Sequence, residues 1–260
     1  MIWTTRPRSD FGTLAAISEG NGLQVLLLHG VGLQADAWAP VIDGLKSTYH
    51  VIAPDMPGHG QSPRLDAPDD LTDYSLVLAA NLTQPTVLVG HSMGAMIALD
   101  IALNHSKNVV AVGALNAIFE RSDAAQSAVM ARAGKMDGIT APDPTPTLAR
   151  WFGKAQSTEK DACRDWLLHS DPEGYRDAYK IFASHNGPAR DLLALLECPA
   201  LFMTGSEEPN STPLMSHRMA EIAPQGHLQI VNGAAHMMPM THPDEVVAAL
   251  HALIRRTQHA

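Results

Sequence analysis

The sequence predicts an α/β fold: a mostly parallel, doubly wound sheet with a helical insertion. Three observations predict it. Short, continuous apolar runs recur along the chain, as strands covered on both faces require. Helical patterns separate those runs. One long stretch, from about Ile118 to Leu196, holds helical patches and no convincing strand.

The first strand signal, "FGTLAAISEG" (Phe11 to Gly20), alternates and ends in glycine, so it reads as an edge or hairpin strand. Six continuous runs follow: Leu23 to His29, His50 to Pro54, Thr86 to Gly90, Val109 to Leu115, Pro199 to Gly205 and His227 to Gly233. Helical stretches lie between them. "LTDYSLVLAANL" precedes Thr86, with Asp70 or Thr72 as its cap. "AMIALDIALNH" follows Ser92. "THPDEVVAALHALIRR" closes the chain, with Thr241 as expected N-cap, acids in the first turn and arginines in the last. Within the insertion, "APDPTP" is a proline-rich joint between the first two helical patches. The expected division is a core domain of residues 1–117 and 197–260, carrying a helical cap over 118–196.

Composition bounds the function. A chain of 260 residues can bury one large α/β domain. Its net charge of -9, with no cluster of Lys and Arg, argues against nucleic acid and anionic membranes as partners. A small-molecule substrate is expected; the sequence does not fix the oligomeric state. Cys163 and Cys198 form no paired motif, the N-terminal "MIWTTRPRSD" has no apolar core of a leader, and no run reaches the roughly 18 apolar residues of a span. A cytoplasmic protein is the expectation. Histidine occurs 13 times, so only position in the chain can single one out.

"TVLVGHSMGAMIAL" holds the chemistry. A buried strand runs into Ser92, with Gly90 and Gly94 clearing space on either side, and a helix follows. That is the strand-turn-helix setting in which a serine is raised on a strained bend. Serine needs a base. His236 lies in the loop after the last strand, at the carboxyl edge of the sheet, whereas His227 begins that strand and His242 belongs to the helix start. A carboxylate should hold the imidazole's far nitrogen. The loop after the preceding strand, "TGSEEPNSTP", offers Glu207 and Glu208. Glu208 is favoured; Glu207, or Glu120 or Asp123 from another loop, are the alternatives. Acyl transfer also needs donors for an oxyanion. The turn "HGVG" offers the Val31 N–H, and Met93, first in the helix, offers a second.

"HGVG" at 29–32, "APDMPGHGQS" at 53–62, "GHSMG" at 90–94, "TGSEEPNSTP" at 204–213 and "GAAHMMPMTHPDEV" at 233–246 together resemble the α/β-hydrolase fold superfamily, in its order and over nearly the whole chain. The resemblance implies Ser92 as nucleophile, His236 as base and Val31 with Met93 as oxyanion hole. It makes the insertion the family's variable cap. One position departs: the family usually has aspartate where Glu208 stands. Serine at 92, not aspartate, argues against the dehalogenase and epoxide hydrolase branches. The branch it looks most like holds small esterases, enol-lactonases and cofactor-free haloperoxidase-like enzymes.

The expected activity is hydrolysis of a small to medium apolar carboxylic ester or lactone through an acyl-enzyme on Ser92. Hydrolysis of a carbon–carbon bond in a diketone by the same residues is one alternative. A non-catalytic receptor on the same fold is another. No HExxH motif and no Cys/His ligand spacing is present, so neither metal nor cofactor is expected. Met237, Trp151 and Phe152 are the expected substrate contacts. Met93, Met238 and Met240 also crowd the site in sequence, with Met130 and Met136 in the insertion, which suggests an apolar pocket or ordinary core filling. The insertion's aromatics, such as Trp166, Tyr175, Tyr179 and Phe182, either pack its own core or line that pocket.

Overall fold

A computed structural model describes residues 3–141 and 143–257. Met1 and Ile2 of the N-terminal stretch, and Pro142 of the proline-rich joint, lie outside the described residues. The strands are β1 (Ser9–Phe11), β2 (Leu14–Glu19), β3 (Gln24–Leu28), β4 (His50–Pro54), β5 (Thr86–His91), β6 (Val109–Leu115), β7 (Ala200–Gly205) and β8 (Gly226–Val231). They form one sheet in the order β1-β2-β4-β3-β5-β6-β7-β8. β1 and β2 make the hairpin, β2 pairs antiparallel to β4, and the remaining pairings are parallel.

The continuous runs have a physical reason. Alternate residues of one strand feed opposite cores. Val87 and Val89 of β5 join Val25, Leu27 and Ala111 on one face. Leu88 joins Leu26, Leu28 and Val112 on the other. With both faces covered, most positions are apolar, and the polar exceptions, such as Gln24 and Thr86, are buried at strand ends. β8 departs from the expectation. It is the sheet's last strand, and most of its residues are partly or fully exposed.

Eleven α-helices follow in chain order among the described residues: α1 (Ala39–Leu45), α2 (Leu71–Ala79), α3 (Met93–Asp100), α4 (Asp123–Ala133), α5 (Thr145–Phe152), α6 (Thr158–Leu168), α7 (Pro172–Ser184), α8 (Arg190–Leu193), α9 (Pro213–Ile222), α10 (Met238–Thr241) and α11 (Pro243–Arg256). α1 and α11 cover one face of the sheet; α2, α3 and α9 cover the other. Asp70 caps α2, in a capping box with Asp73. At α11 the expected cap shifts by one. Thr241 completes the short α10 and its hydroxyl donates to the Met237 carbonyl, so His242 takes the N-cap position without a side-chain cap.

Between β6 and β7 the described residues hold only helices, α4 to α8. Ser122, Ser157 and Asp171 cap α4, α6 and α7 through their side chains. A third apolar cluster joins these helices to the loops above the sheet: Val129, Leu148, Leu167 and Tyr175 pack with Leu33 and Met237. Among the described residues no helix is long and apolar enough to cross a membrane.

Candidate active site

The bend at Ser92 is strained, and the glycines explain how it closes. Ser92 has φ 57° and ψ -119°, between the end of β5 and the start of α3. A non-glycine residue in that region costs roughly 1–3 kcal/mol. A Cβ on Gly90 would land on the main chain of Gly94, and one on Gly94 would land on the Leu28 carbonyl. Either substitution must push backbone aside. The Ser92 N–H donates to the Leu115 carbonyl across the sheet (2.9 Å), which pins the bend to β6.

Loops at the same edge bring the partners in. His236 Nδ1 lies 2.6 Å from Glu208 Oε2. The same oxygen accepts from Asn116 Nδ2 (2.7 Å). The other accepts from the main-chain N–H groups of Asn210 (2.8 Å) and Ser211 (3.3 Å). Burial pushes the Glu208 carboxyl up, but the His236 ring and these donors outweigh it and hold it at about 2. Glu208 is therefore a carboxylate at neutral pH. With Nδ1–H given to it, His236 keeps the lone pair of Nε2. The other candidate acids stand elsewhere. Glu207 is exposed and contributes its N–H to the Ala234 carbonyl; Glu120 pairs with Arg190; Asp123 sits in the first turn of α4.

Two aromatic rings bracket His236. His91, one residue before Ser92, donates Nε2–H to the His236 carbonyl at 2.7 Å. Burial drives its pKa down to about 3, so the ring is neutral and its proton stays on that bond. Trp151 of α5 stacks over the His236 ring, with centroids 5.6 Å apart and planes 23° apart.

The turn after β3 faces Ser92. A Cβ built on Gly30 would stand 3.5 Å from Ser92 Oγ, and Val31 lines the same cavity as Ser92. His29 fixes that turn: Nε2 accepts the Met56 N–H (2.9 Å) and Nδ1–H donates to the Gly30 carbonyl (2.8 Å). Met93 is the first residue of α3, so its N–H has no intrahelical acceptor.

Ser92 and His236 open onto one cavity of ≈ 120 Å³ roofed by the insertion. Trp151 lines it; Met237 and Phe152 do not, and lie in or against the seam cluster beneath. Met93, Met238 and Met240 are likewise core residues, and Met130 is exposed. The lining instead holds Arg121, Arg132 and Arg150, and no acidic side chain among the described residues. Among the described residues, neutral groups alone hold these cations. Arg121 donates to the His185 and Phe182 carbonyls and to Gln126, and lies over the Phe182 ring. Arg132 Nε donates to the Tyr179 hydroxyl (3.1 Å) and Arg150 Nη2 to Thr147 Oγ1 (2.9 Å). Burial, with the nearby Arg132 charge, lowers the pKa of Arg121 to about 10. The sequence shows three arginines in an otherwise ordinary helical stretch. Their convergence depends on how α4, α5 and α7 pack, which no local pattern displays.

A serine on a strained strand-helix bend and a histidine paired with a carboxylate share one cavity, on a mostly parallel sheet under a helical roof; that is the architecture of an α/β hydrolase. Residues 25–249 match the alpha/beta hydrolase family, and the chain belongs to it. It is 36% identical over 264 residues to the (E)-2-((N-methylformamido)methylene)succinate hydrolase of Acinetobacter baylyi, covering 99% of this chain and all of the other. It is 30% identical to the pimeloyl-[acyl-carrier protein] methyl ester esterase of Chromobacterium violaceum, covering 89% of this chain and 94% of that one. Among solved structures, a thermophilic esterase from Thermogutta terrifontis, described with malate bound, superposes with a TM-score of 0.86 at 25% identity, over 97% of this chain and 99% of that one. The chain is an enzyme of the hydrolase class.

Proposed function

We propose that this hydrolase cleaves an ester or N-acyl bond in a small, carboxylate-bearing substrate through an acyl-enzyme on Ser92. His236 Nε2 takes the Ser92 proton as Oγ attacks the carbonyl carbon, and returns it to the leaving alcohol or amine. Glu208 holds the ring and stabilises its cationic form. The N–H groups of Val31 and Met93 receive the oxyanion. Water, deprotonated by His236, then releases the acid. His91 is a positioning residue, tying the main chain of the base to the nucleophile's bend.

The single observation that carries the substrate class is the lining: three arginines without a carboxylate, beside Ser92 and His236. Arg121 is buried and Arg132 and Arg150 are half-buried, and cations withdrawn from water without counter-charges are costly unless a bound anion supplies them. That favours an anionic substrate over the apolar ester expected from the methionines. The names of two similar proteins support it, since succinate and malate are both dicarboxylates.

The test is turnover of 4-nitrophenyl hydrogen succinate and 4-nitrophenyl acetate, with fluorophosphonate labelling. The anionic ester should be preferred, and Ser92→Ala should abolish both turnover and labelling. Turnover surviving in Ser92→Ala would sink the reading. Glu208→Gln should cut kcat by about a hundredfold or more, and Glu207→Gln should leave it alone. His91→Phe should lower kcat roughly tenfold at constant KM, with His91→Gln, which keeps a donor, recovering part of the loss. Glu208 also sets a pH expectation. Its contribution to stability is complete above its ordinary value of 4.5 and is lost as pH falls through about 2. A loss of kcat between pH 7 and 5 therefore belongs to another group.

A further inference from the structure

Beyond the arginines lies a second cavity, ≈ 290 Å³, on the outer side of the insertion. Arg132, Thr147, Arg150, Tyr175 and Tyr179 line both chambers. They make a partition one side chain thick. Its bonds are soft: one hydroxyl holds Arg132 and another holds Arg150, and among the described residues neither has a carboxylate partner. Both nitrogens of the Arg132 terminal fork are without a protein acceptor among the described residues. The inner chamber is tight, with Ser92 9% and His236 7% exposed. Trp151 stacks on His236 at the catalytic end. Passage between the chambers would require these two arginine side chains to rotate.

The outer chamber has its own cation. Lys135 lines it and is exposed. Asp137 and Asp143 line it too and stay ionised, their carboxylates accepting main-chain N–H groups (Ile139 and Thr140 for Asp137, Thr145 for Asp143), so Lys135, Arg132 and Arg150 outnumber them three to two. We propose that this chamber is an anion vestibule: a carboxylate docks there on Lys135, Arg132 and Arg150, and the two arginines carry it through to Ser92. The proposal rests on the carboxylate-bearing substrate argued above. The physics is that of steering. Cations at a mouth raise the local concentration of an anion, and a guanidinium fork facing two chambers transfers a carboxylate without returning it to bulk water.

The test uses the full-length protein and the same two nitrophenyl esters. Lys135→Glu, at an exposed position, should lower kcat/KM for the succinate ester about fivefold at low salt, with the loss shrinking near about 0.5 M NaCl as screening takes over. The acetate ester should respond less. Thr140→Trp, which fills the outer chamber from its exposed rim, should lower kcat/KM for both esters roughly tenfold while fluorophosphonate-labelled, folded enzyme is still obtained. Wild-type rates on both esters in both variants would overturn the proposal and place the entrance at the exposed rim of Ala125, Pro209 and Asn210. An equal loss on both esters in Lys135→Glu would overturn the anion-docking part. Failure of the wild type to take the fluorophosphonate would instead remove the Ser92 reading. Calorimetric binding of succinate, weakened in Lys135→Glu, reads the vestibule without any turnover.

Discussion

Two regions of this molecule wholly or partly bury arginine, and they do opposite things with it. Near the N-terminus, Arg8 is 5% exposed and reaches Asp36 at 2.6 Å and Asp55 at 2.9 Å, themselves 1% and 0% exposed. Asp55 also accepts the N–H groups of Ala35 and Gln61. Burial alone would lower the Arg8 pKa; the two carboxylates more than reverse it, and the net shift is upward. In the insertion, Arg121, Arg132 and Arg150 meet only carbonyls, hydroxyls and an amide, and for Arg121 and Arg150 burial prevails and the shift is downward. The first cluster carries its own counter-charges and serves as a clamp on the loops after β3 and β4. The second is incomplete by itself. Burial of a guanidinium says little about its task; the charge of its acceptors says which task it has.

The sharpest test of that contrast is a pair of equal truncations. Arg8→Met strands two buried carboxylates. It should cost roughly 3–5 kcal/mol, read as a lowered urea midpoint at constant slope, while kcat/KM of the folded fraction stays put. Arg132→Met removes a cation that repels its neighbours and partners no carboxylate. It should leave the urea midpoint unchanged or higher, yet weaken kcat/KM for the succinate ester by about 1.5–3 kcal/mol, the range for hydrogen bonds to a charged group. If Arg132→Met destabilised the fold as much as Arg8→Met, the distinction between the two clusters would be void.

The same contrast explains which parts of the molecule could be read from its residues. β4 and β6 begin and end where their mainly apolar runs do, because a strand covered on both faces leaves few polar positions to blur its limits. The bend at Ser92 was legible because its steric demand is local: Gly90 and Gly94 are two residues away. The sequence favours Glu208 but leaves Glu207, Glu120 and Asp123 open, and the structure separates Glu208 from them by its burial and its His236 contact. The arginines were not legible. Arg121, Arg132 and Arg150 come from two helices and a loop, and their common target exists only once α4 and α5 pack over the sheet. Methionine misled for a related reason. A flexible apolar side chain near Ser92 in sequence suits a pocket or a core equally well, and Met237, Met238 and Met240 all went to the core. β8 and Thr241 depart from expectation because edge position and a neighbouring short helix are tertiary facts.

An added anion should act on the two clusters unequally as well. A dicarboxylate that binds only the folded chain raises its stability by mass action, about 2.7 kcal/mol at a hundredfold excess over Kd. Succinate should therefore raise Tm of the wild type and of Arg8→Met by similar amounts, and of Arg132→Met by much less. Equal shifts in all three would detach the anion from the insertion's arginines.

The smallest effect belongs to a third arrangement of charge, at the surface. Lys46 Nζ lies 2.8 Å from Glu19 and 2.7 Å from Asp43, with side chains 30–44% exposed, and Arg6 joins the same acids. Its contacts are as short as those of Arg8. Solvent nevertheless screens them, and two long side chains lose freedom in making them. Lys46→Met should cost only about 0.2–1 kcal/mol. The loss should fade as salt rises past about 0.15 M, where the screening length falls below 8 Å. Arg8→Met should keep most of its penalty in the same salt series, because its partners are out of reach of the ions. A Lys46→Met penalty as large and as salt-resistant as that of Arg8→Met would mean that contact distance, not burial and acceptor charge, governs these ion pairs. The division between clamp and binding site would then lose its physical basis.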